Sequence, residues 1–310
     1  MRKYLYCKST GFVEVDEWQP NCWVDVECPN EDDFNFLKEN LKVPESFLND
    51  IADTDERPRN DTEDDWLLTI LRIPITTSSQ LGVPFNTVPI GIITNNEVIV
   101  SVCYYQSELL PDFIEHTRRK GLLVRNKLDL ILRLIHSSAV WFLKYLKQIN
   151  NDVLDAEKAL EQSIRNEDLL QLMKLQKTLV YFNTSIRGNE VMITRLQTIF
   201  QDTALFDKDL ADDAVIELKQ ALNTVNIYSD ILTGTMDAFA SIINNNVNTI
   251  MKRMTSFSII LMLPTLIASF YGMNVNIGLA RFPNSFTMIV LASISFSALT
   301  FIIFRKIKWF

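Results

Sequence analysis

Two long uncharged apolar stretches near the C-terminal end constrain this chain more than any other feature. Residues 254–271 form 18 consecutive positions without a charge, and residues 286–304 form another 19. A helix rises about 1.5 Å per residue, so each stretch can cross a hydrocarbon core of about 30 Å. Only 14 residues, 272–285, connect them. The sequence therefore predicts a transmembrane helical hairpin.

The charges beside the two stretches predict how the hairpin is oriented. Basic residues at membrane ends favour the cytoplasmic side, and the connecting loop contains only Arg281. We therefore expect a multi-pass protein of the cell (plasma) membrane whose N- and C-termini are both cytoplasmic. The basic residues that place the ends there are Lys252, Arg253, Arg305, Lys306 and Lys308.

The remaining sequence reads as an acidic cytoplasmic domain. The net charge of the chain is −8, a balance that repels nucleic acid and attracts cations. The four cysteines are scattered, so we expect reduced thiols. The sequence contains no phosphate-binding loop, no Gly-rich nucleotide motif, no catalytic serine motif and only two histidines. We therefore expect neither an enzyme nor an organic cofactor.

Residues 1–206 combine strand and helix patterns. Short apolar runs at 3–7, 21–27 and 66–74 predict strands, and Asn95-Asn96 predicts the turn of a hairpin. Helical periodicity begins after Pro111, with a break at residues 187–189. The predicted fold is an α/β (α+β) domain in which a small sheet is covered by helices. Residues 50–65 read as an exposed acidic connection, with a divalent-ion site as the alternative.

A very long helix is predicted to follow this domain and to enter the membrane. Its pattern begins at residue 207 and continues into the first span, with a cytoplasmic stalk at 207–253. Polar, small and methionine side chains repeat on one face of its second half. They are Asn244, Asn248, Met251, Thr255, Ser258, Met262, Thr265, Ser269 and Gly272.

This stripe has two readings. Small and hydroxyl residues let membrane helices pack closely, and the same residues can line a narrow aqueous path gated by methionines. Two helices cannot enclose a pore alone, so a channel requires a homo-oligomer with the first span inside. The residues from Asn248 to Ser269 in the stripe would then be pore-lining.

The tripeptide Gly272-Met273-Asn274 at the outer end of the first span identifies a family. With Tyr271 before it, one further span after it and a basic C-terminus, the chain resembles the CorA divalent-cation transporters. The resemblance implies a homopentameric funnel that passes Mg²⁺ and also Co²⁺ or Ni²⁺. It also implies that residues 272–274 form the selectivity filter, where Asn274 would hold a still-hydrated ion.

The resemblance further implies that Mg²⁺ is a regulatory ligand as well as the transported ion. Asp213 and Asp237 match the positions of the acidic sensing residues in the family. A helix N-terminal acid at Asp213 and a merely solvated carboxylate at Asp237 are the alternatives. Two departures stand out: the loop at 275–285 contains no acid, and residues 75–88 offer no partner carboxylate.

Two other functions compete with Mg²⁺ transport. A Zn²⁺ transporter of the ZntB type usually alters the middle residue of the tripeptide, so Met273 favours the Mg²⁺ branch. A membrane-anchored scaffold would have no need for a polar stripe in a span. The resulting division of the chain is 1–206 α/β domain, 207–253 stalk, 254–271 first span, 272–285 outer loop, 286–304 second span and 305–310 basic tail.

Overall fold

The computed structural model describes residues 2–8, 11–77, 82–162, 165–273, 284–307 and 309. They form two compact units, Met1–Gly234 and Thr235–Phe310.

A seven-stranded mixed sheet is the centre of the first unit, with strand order β2-β1-β3-β7-β6-β5-β4. Only β3 and β7 pair in parallel; the other neighbours are antiparallel. This arrangement confirms the predicted α/β (α+β) class. The strands are β1 Arg2–Lys8, β2 Gly11–Val15, β3 Trp23–Glu27, β4 Arg59–Glu63, β5 Trp66–Thr76, β6 Phe85–Thr94 and β7 Ile99–Cys103.

The hairpin between β6 and β7 turns at Asn95, as the sequence predicts. The Asn95 backbone N–H donates to the carbonyl oxygen of Val98 at 3.1 Å, and the Asn95 side-chain oxygen accepts from the N–H groups of Glu97 and Val98. An Asn side chain can satisfy a turn in this way because its oxygen reaches backbone donors two and three residues on.

The segment at residues 50–65 is largely exposed, as the sequence predicts, but it includes regular elements that were not predicted. Residues 50–52 end the helix Glu45–Ala52 (α2), and Arg59–Glu63 is the edge strand β4, paired antiparallel with β5. The side chain of Arg59 reaches three of the segment's acids: Asp50 and Glu56 at 2.6 Å and Asp61 at 3.9 Å. Three of the eight carboxylates in the segment considered as a divalent-ion site are thus paired with an arginine of the same segment.

Helices pack against the sheet and against one another. The long helices of the first unit bury apolar side chains in these contacts, and a π-helical turn lies at residues 36–40. The helices are α1 Glu31–Asn35, α2 Glu45–Ala52, α3 Leu109–Lys120, α4 Lys127–Gln162, α5 Asn166–Phe200, α6 Lys208–Tyr271 and α7 Ser285–Lys306.

Helix α5 passes without interruption through residues 187–189, where the sequence predicts a break. Gly188 is there because a Cβ at this position would lie 2.8 Å from Cγ of Pro58. The next residue, Asn189, is fully buried; its side chain accepts from the Arg72 backbone N–H at 3.0 Å and donates to the Arg72 carbonyl at 2.8 Å. The pairing of β4 with β5 ends at Ile70. The Asn189 side chain therefore supplies the backbone hydrogen bonds of Arg72 that β4 does not.

In the second unit, α7 packs on one face of α6. Ser256 is 1% exposed and Ser293 8% exposed, the lowest values in the two spans. The Ser297 hydroxyl donates to the carbonyl of Ile260 at 3.1 Å. Pro264 has no N–H, so it leaves this carbonyl, four residues earlier, without its usual helical partner. Ser297 on α7 therefore satisfies the acceptor that the proline frees.

Candidate ion pathway and regulatory site

The polar stripe of α6 lies away from the face that contacts α7. All seven residues predicted to line a pore are exposed, whereas Ser256, Ile259, Ile260, Leu263 and Ile267 are buried or half-buried. The hairpin thus covers one face of α6 and leaves the stripe open. The exposed set is Asn248, Met251, Thr255, Ser258, Met262, Thr265 and Ser269.

Two hydroxyl groups of the stripe already have hydrogen-bond acceptors within their own helix. Ser258 donates to the Met254 carbonyl at 3.0 Å, and Thr265 donates to the Leu261 carbonyl at 3.1 Å. A hydroxyl that has donated its hydrogen still has oxygen lone pairs facing outward. These groups therefore present neutral oxygen acceptors, which can bind the water shell of a divalent cation without stripping it.

The end of α6 is described as far as Met273. The Gly272 N–H donates to the Ala268 carbonyl at 2.9 Å, and the Met273 N–H donates to the Phe270 carbonyl at 3.4 Å. These bonds of Gly272 and Met273 end the helix immediately before the third predicted filter residue, Asn274. Asn274 itself lies outside the described residues, so its role remains a prediction.

Asp213 lies in the wall of a cavity of about 260 Å³ in the first unit. It belongs to the second turn of α6, beyond Asp209, the acid of the first turn. A capping role is therefore less suitable for Asp213 than for Asp209, because the dipole effect falls off within the first turn. Four other charged or titratable side chains share the wall: Asp112, His116, Arg133 and His136.

The sequence analysis missed that both histidines of the chain meet Asp213 here. Asp112 and His116 lie one turn apart on α3, and Arg133 and His136 lie three residues apart on α4. This spacing could have shown that each pair shares a helix face, but the meeting of three helices is a tertiary fact. Asp112 accepts from the Trp141 indole N–H at 3.1 Å, and the Arg133 Nε donates to Asp129 at 2.8 Å.

The described side chains do not by themselves build a metal site. Within the described ranges, no three His, Cys, Asp or Glu side chains are grouped so that they could hold an ion. Asp237, the second predicted sensor, is exposed on the part of α6 that belongs to the second unit. It is 24 positions from Asp213 in the sequence, more than six helical turns.

Length and composition make two helices capable of crossing a membrane. They are Lys208–Tyr271, through its apolar second half, and Ser285–Lys306; only 6% of the most apolar window of each is buried. The same composition in a soluble core helix would be mostly buried, so the exposure agrees with a two-span membrane protein.

Comparison with known sequences places this arrangement in a family. The model of the family described as "CorA-like Mg2+ transporter protein" matches residues 18–306. The cobalt/magnesium transport protein CorA of Methanocaldococcus jannaschii is 24% identical over 302 residues, covering 93% of this chain and 90% of that protein. The protein of the same name from Thermotoga maritima is 22% identical over 274 residues, 84% of this chain and 75% of that one.

Solved structures show the same fold. The complete structure of the CorA magnesium transporter from Methanocaldococcus jannaschii superposes with a TM-score of 0.85 at 21% identity, over 100% of this chain and 99% of that one. The ZntB cytoplasmic domain from Vibrio parahaemolyticus superposes less well, with a TM-score of 0.59 at 16% identity over 79% of this chain and 96% of that one. Since the family model matches almost the whole sequence, the chain belongs to the CorA-like Mg2+ transporter family and is a membrane transporter rather than an enzyme.

Proposed function

We propose that five copies of this chain form a channel that passes hydrated Mg²⁺, and also Co²⁺ or Ni²⁺, with the first span of each copy lining the pore. One observation carries the proposal: α7 covers one face of α6, while the stripe from Asn248 to Ser269 stays exposed. In a ring of copies, that stripe faces the axis and α7 faces lipid. The names of the two CorA relatives, both cobalt/magnesium transport proteins, support the choice of Mg²⁺ and Co²⁺.

Exposed apolar residues on the helices of the first unit support self-assembly. A monomeric soluble domain rarely leaves so many large apolar side chains in water, and such surfaces mark contacts with partners. Homopentamer formation covers them in this proposal. They include Leu170, Met173, Val180 and Val191 on α5 and Ile216, Ile227 and Ile231 on α6.

Transport in this proposal is passive and inward. An inside-negative potential contributes about 4.6 kcal/mol per 100 mV for a divalent ion, twice the value for a single charge. Both termini are cytoplasmic, Gly272, Met273 and Asn274 form the outer filter, and Met251 and Met262 form apolar collars. The division of the chain into domain, stalk, spans, loop and tail follows the sequence boundaries given above.

Cytosolic Mg²⁺ closes the channel by binding at Asp213 and Asp237. The cavity beside Asp213 supports a regulatory site, because Asp112 supplies the second carboxylate that the sequence did not reveal. The remaining ligands in this proposal are water and side chains of a neighbouring copy. Bound ions offset the repulsion between facing carboxylates, and their loss loosens the ring.

Ion flux into proteoliposomes tests the pore directly. We expect the wild type to pass Mg²⁺ and Co²⁺ under an inside-negative potential, and Asn274→Ala to lose most of the Mg²⁺ flux. Asn284→Ala is the matched control, because Asn284 is also in the outer connection but makes no capping bond to α7. Wild-type flux of Zn²⁺ alone would instead favour the ZntB-type alternative, and no flux of any ion would favour a scaffold.

A second experiment tests regulation separately. Mg²⁺ trapped inside the vesicles should inhibit flux through the wild type and inhibit Asp213→Asn less. Asp209→Asn is the control, since Asp209 lies in the first turn of the same helix and outside the cavity. Equal inhibition of all three proteins would remove Asp213 from the sensor while leaving the pore proposal intact.

A further inference from the structure

A second cavity in the first unit has basic but no acidic side chains among the described residues that line it. Its volume is about 440 Å³, within the range of small-molecule sites. The chain has 38 acidic and 30 basic residues, yet none of the described residues that line this cavity is Asp or Glu. Two of them, Arg125 and Lys127, are basic. The lining therefore suits an anion.

Lys127 is held in place at the cavity wall without an ion-paired carboxylate. Its Nζ donates to the Asn95 carbonyl at 2.7 Å; burial lowers the pKa of this amine, and the charge of Glu97 partly offsets that shift. Arg125 is exposed, and no carboxylate of the described residues lies within ion-pair distance of either base. The nearest buried acid, Asp129, already accepts from the Arg125 backbone N–H and from Arg133 Nε, both at 2.8 Å. The two bases are therefore available to a ligand.

The backbone adds donors beside these two charges. Asn126 caps α4: its side-chain oxygen accepts from the Asp129 N–H, and its carbonyl accepts from the Leu130 N–H. The first two N–H groups of this 36-residue helix, at Lys127 and Leu128, have no hydrogen-bond acceptor among the described residues. Unpaired N–H groups at a helix start attract phosphate oxygens. They reinforce the preference set by the side chains.

Other lining residues of the cavity offer contacts for an organic group. Tyr6 is 37% exposed and presents an aromatic ring. The side chains of Asn21 and Asn96 also line the cavity and make no hydrogen bond with a described residue. An aromatic surface and free amides match a nucleobase, which has apolar faces and an edge of donors and acceptors.

We propose that this cavity binds a nucleoside phosphate, with the phosphate at Arg125 and Lys127 and the base between Tyr6 and the two asparagines. The ligand would also touch the connection that leads into α6. Leu205 in that connection lines the cavity, and its carbonyl accepts from the Asn126 side chain at 2.8 Å. The site is separate from the cavity of Asp213, with which it shares no lining residue.

Calorimetric titration of the full chain in detergent micelles tests the proposal. The probes are AMP, GMP, CMP and UMP, each compared with its own nucleoside and with inorganic phosphate, at constant free Mg²⁺. We expect at least one monophosphate to bind. Its nucleoside should bind at least about tenfold more weakly, because the charge-assisted hydrogen bonds to the phosphate are lost. Inorganic phosphate should also bind at least about tenfold more weakly, because it lacks the contacts of the base.

Two variants locate the binding. Arg125→Gln should weaken nucleotide affinity about tenfold without affecting folding, since the Arg125 side chain is exposed. Arg119→Gln is the control, an exposed base on α3 outside the cavity. Failure of all four monophosphates to bind overturns the proposal, as does equal affinity for wild type and Arg125→Gln. Equal binding of inorganic phosphate and the nucleotides overturns the role of the base.

Discussion

The two units treat their polar groups in opposite ways. In the first unit, some buried hydroxyls, such as that of Thr117, also donate within their own helix. Others are paired between distant elements: the Trp23 indole donates to Ser101 at 2.8 Å, and the Ser101 hydroxyl donates to Asp25 at 2.7 Å. In the spans of the second unit, most hydroxyls donate to the backbone one turn earlier in their own helix, as at Ser256 and Thr300. A membrane offers no water to complete a bond, so a local partner is the safest one.

This difference teaches where each unit is vulnerable. Removing a polar group that is paired between elements of the first unit leaves a group on another element unpaired, whereas removing one from a span usually leaves nothing unpaired. Among the described hydroxyls of the spans, Ser297 differs, because it bonds to α6 rather than to its own helix. The predictions below follow this contrast.

Asn189→Ala should have the largest effect on stability. It leaves the N–H and the carbonyl of Arg72 buried without their partner, at about 1–3 kcal/mol for each group, or about 4 kcal/mol together. Thermal unfolding of the detergent-solubilised chain, followed by circular dichroism, would measure the loss. Asn183→Ala on the same helix is the control, because Asn183 bonds only to the exposed side chain of Asn226. A loss no larger than that of the control would contradict the clamp.

Asp25 should make the stability of the first unit depend on pH. Burial raises the pKa of this carboxyl from 3.8 to about 7, while the unfolded chain loses the same proton near 3.8. Between these values the folded state binds more protons, so the free energy of unfolding falls as the pH rises, by up to about 1.4 kcal/mol per pH unit.

Unfolding measured from pH 4 to pH 7 in wild type and Asp25→Asn would test this dependence. The variant should show a flatter profile, because an amide does not titrate. Asp16→Asn, at an exposed position, should keep the wild-type slope. Parallel profiles for wild type and Asp25→Asn would show that Asp25 is not the source.

Ser297→Ala should have a smaller effect, about 1 kcal/mol, because interhelical hydrogen bonds in membranes contribute modestly. The cost should nearly vanish in a Pro264→Ala background, where the Ile260 carbonyl regains a helical N–H. Ser293→Ala is the control, since the Ser293 hydroxyl donates within its own helix to Ile289 at 2.8 Å. Thermal unfolding of wild type, Ser297→Ala, Pro264→Ala and the double variant forms a double-mutant cycle. Additive effects of the two substitutions would rule out the exchange of hydrogen-bond partners.

Local patterns made much of the fold predictable. The hairpin at Asn95 and the two spans are determined by residues that are neighbours in the sequence, so predicting them needed no knowledge of distant contacts. The strand β4 was missed because RNDTE has no apolar alternation; it exists because β5 offers it a free edge. The break predicted near Gly188 was also wrong. The glycine is needed there for close contact with Pro58, which is distant in the sequence.

The candidate sites divide in a similar way. The exposed stripe on α6 agrees with helical periodicity, because its residues from Asn244 to Ser269 lie on one continuous helix. The cavity of Asp213 could not be predicted, since its walls come from α3, α4 and α6. The family resemblance supplied Asp213 itself but neither Asp112 nor the two histidines.

The proline of the first span has a mechanical consequence. A helix that lacks one backbone hydrogen bond bends most easily at that position. Here Ser297 of the neighbouring helix supplies the missing donor. Bending of α6 at Pro264 stretches this bond and pulls on α7. The two spans are therefore mechanically coupled near Pro264. We expect α7 to move whenever the curvature of α6, the helix with the polar stripe, changes.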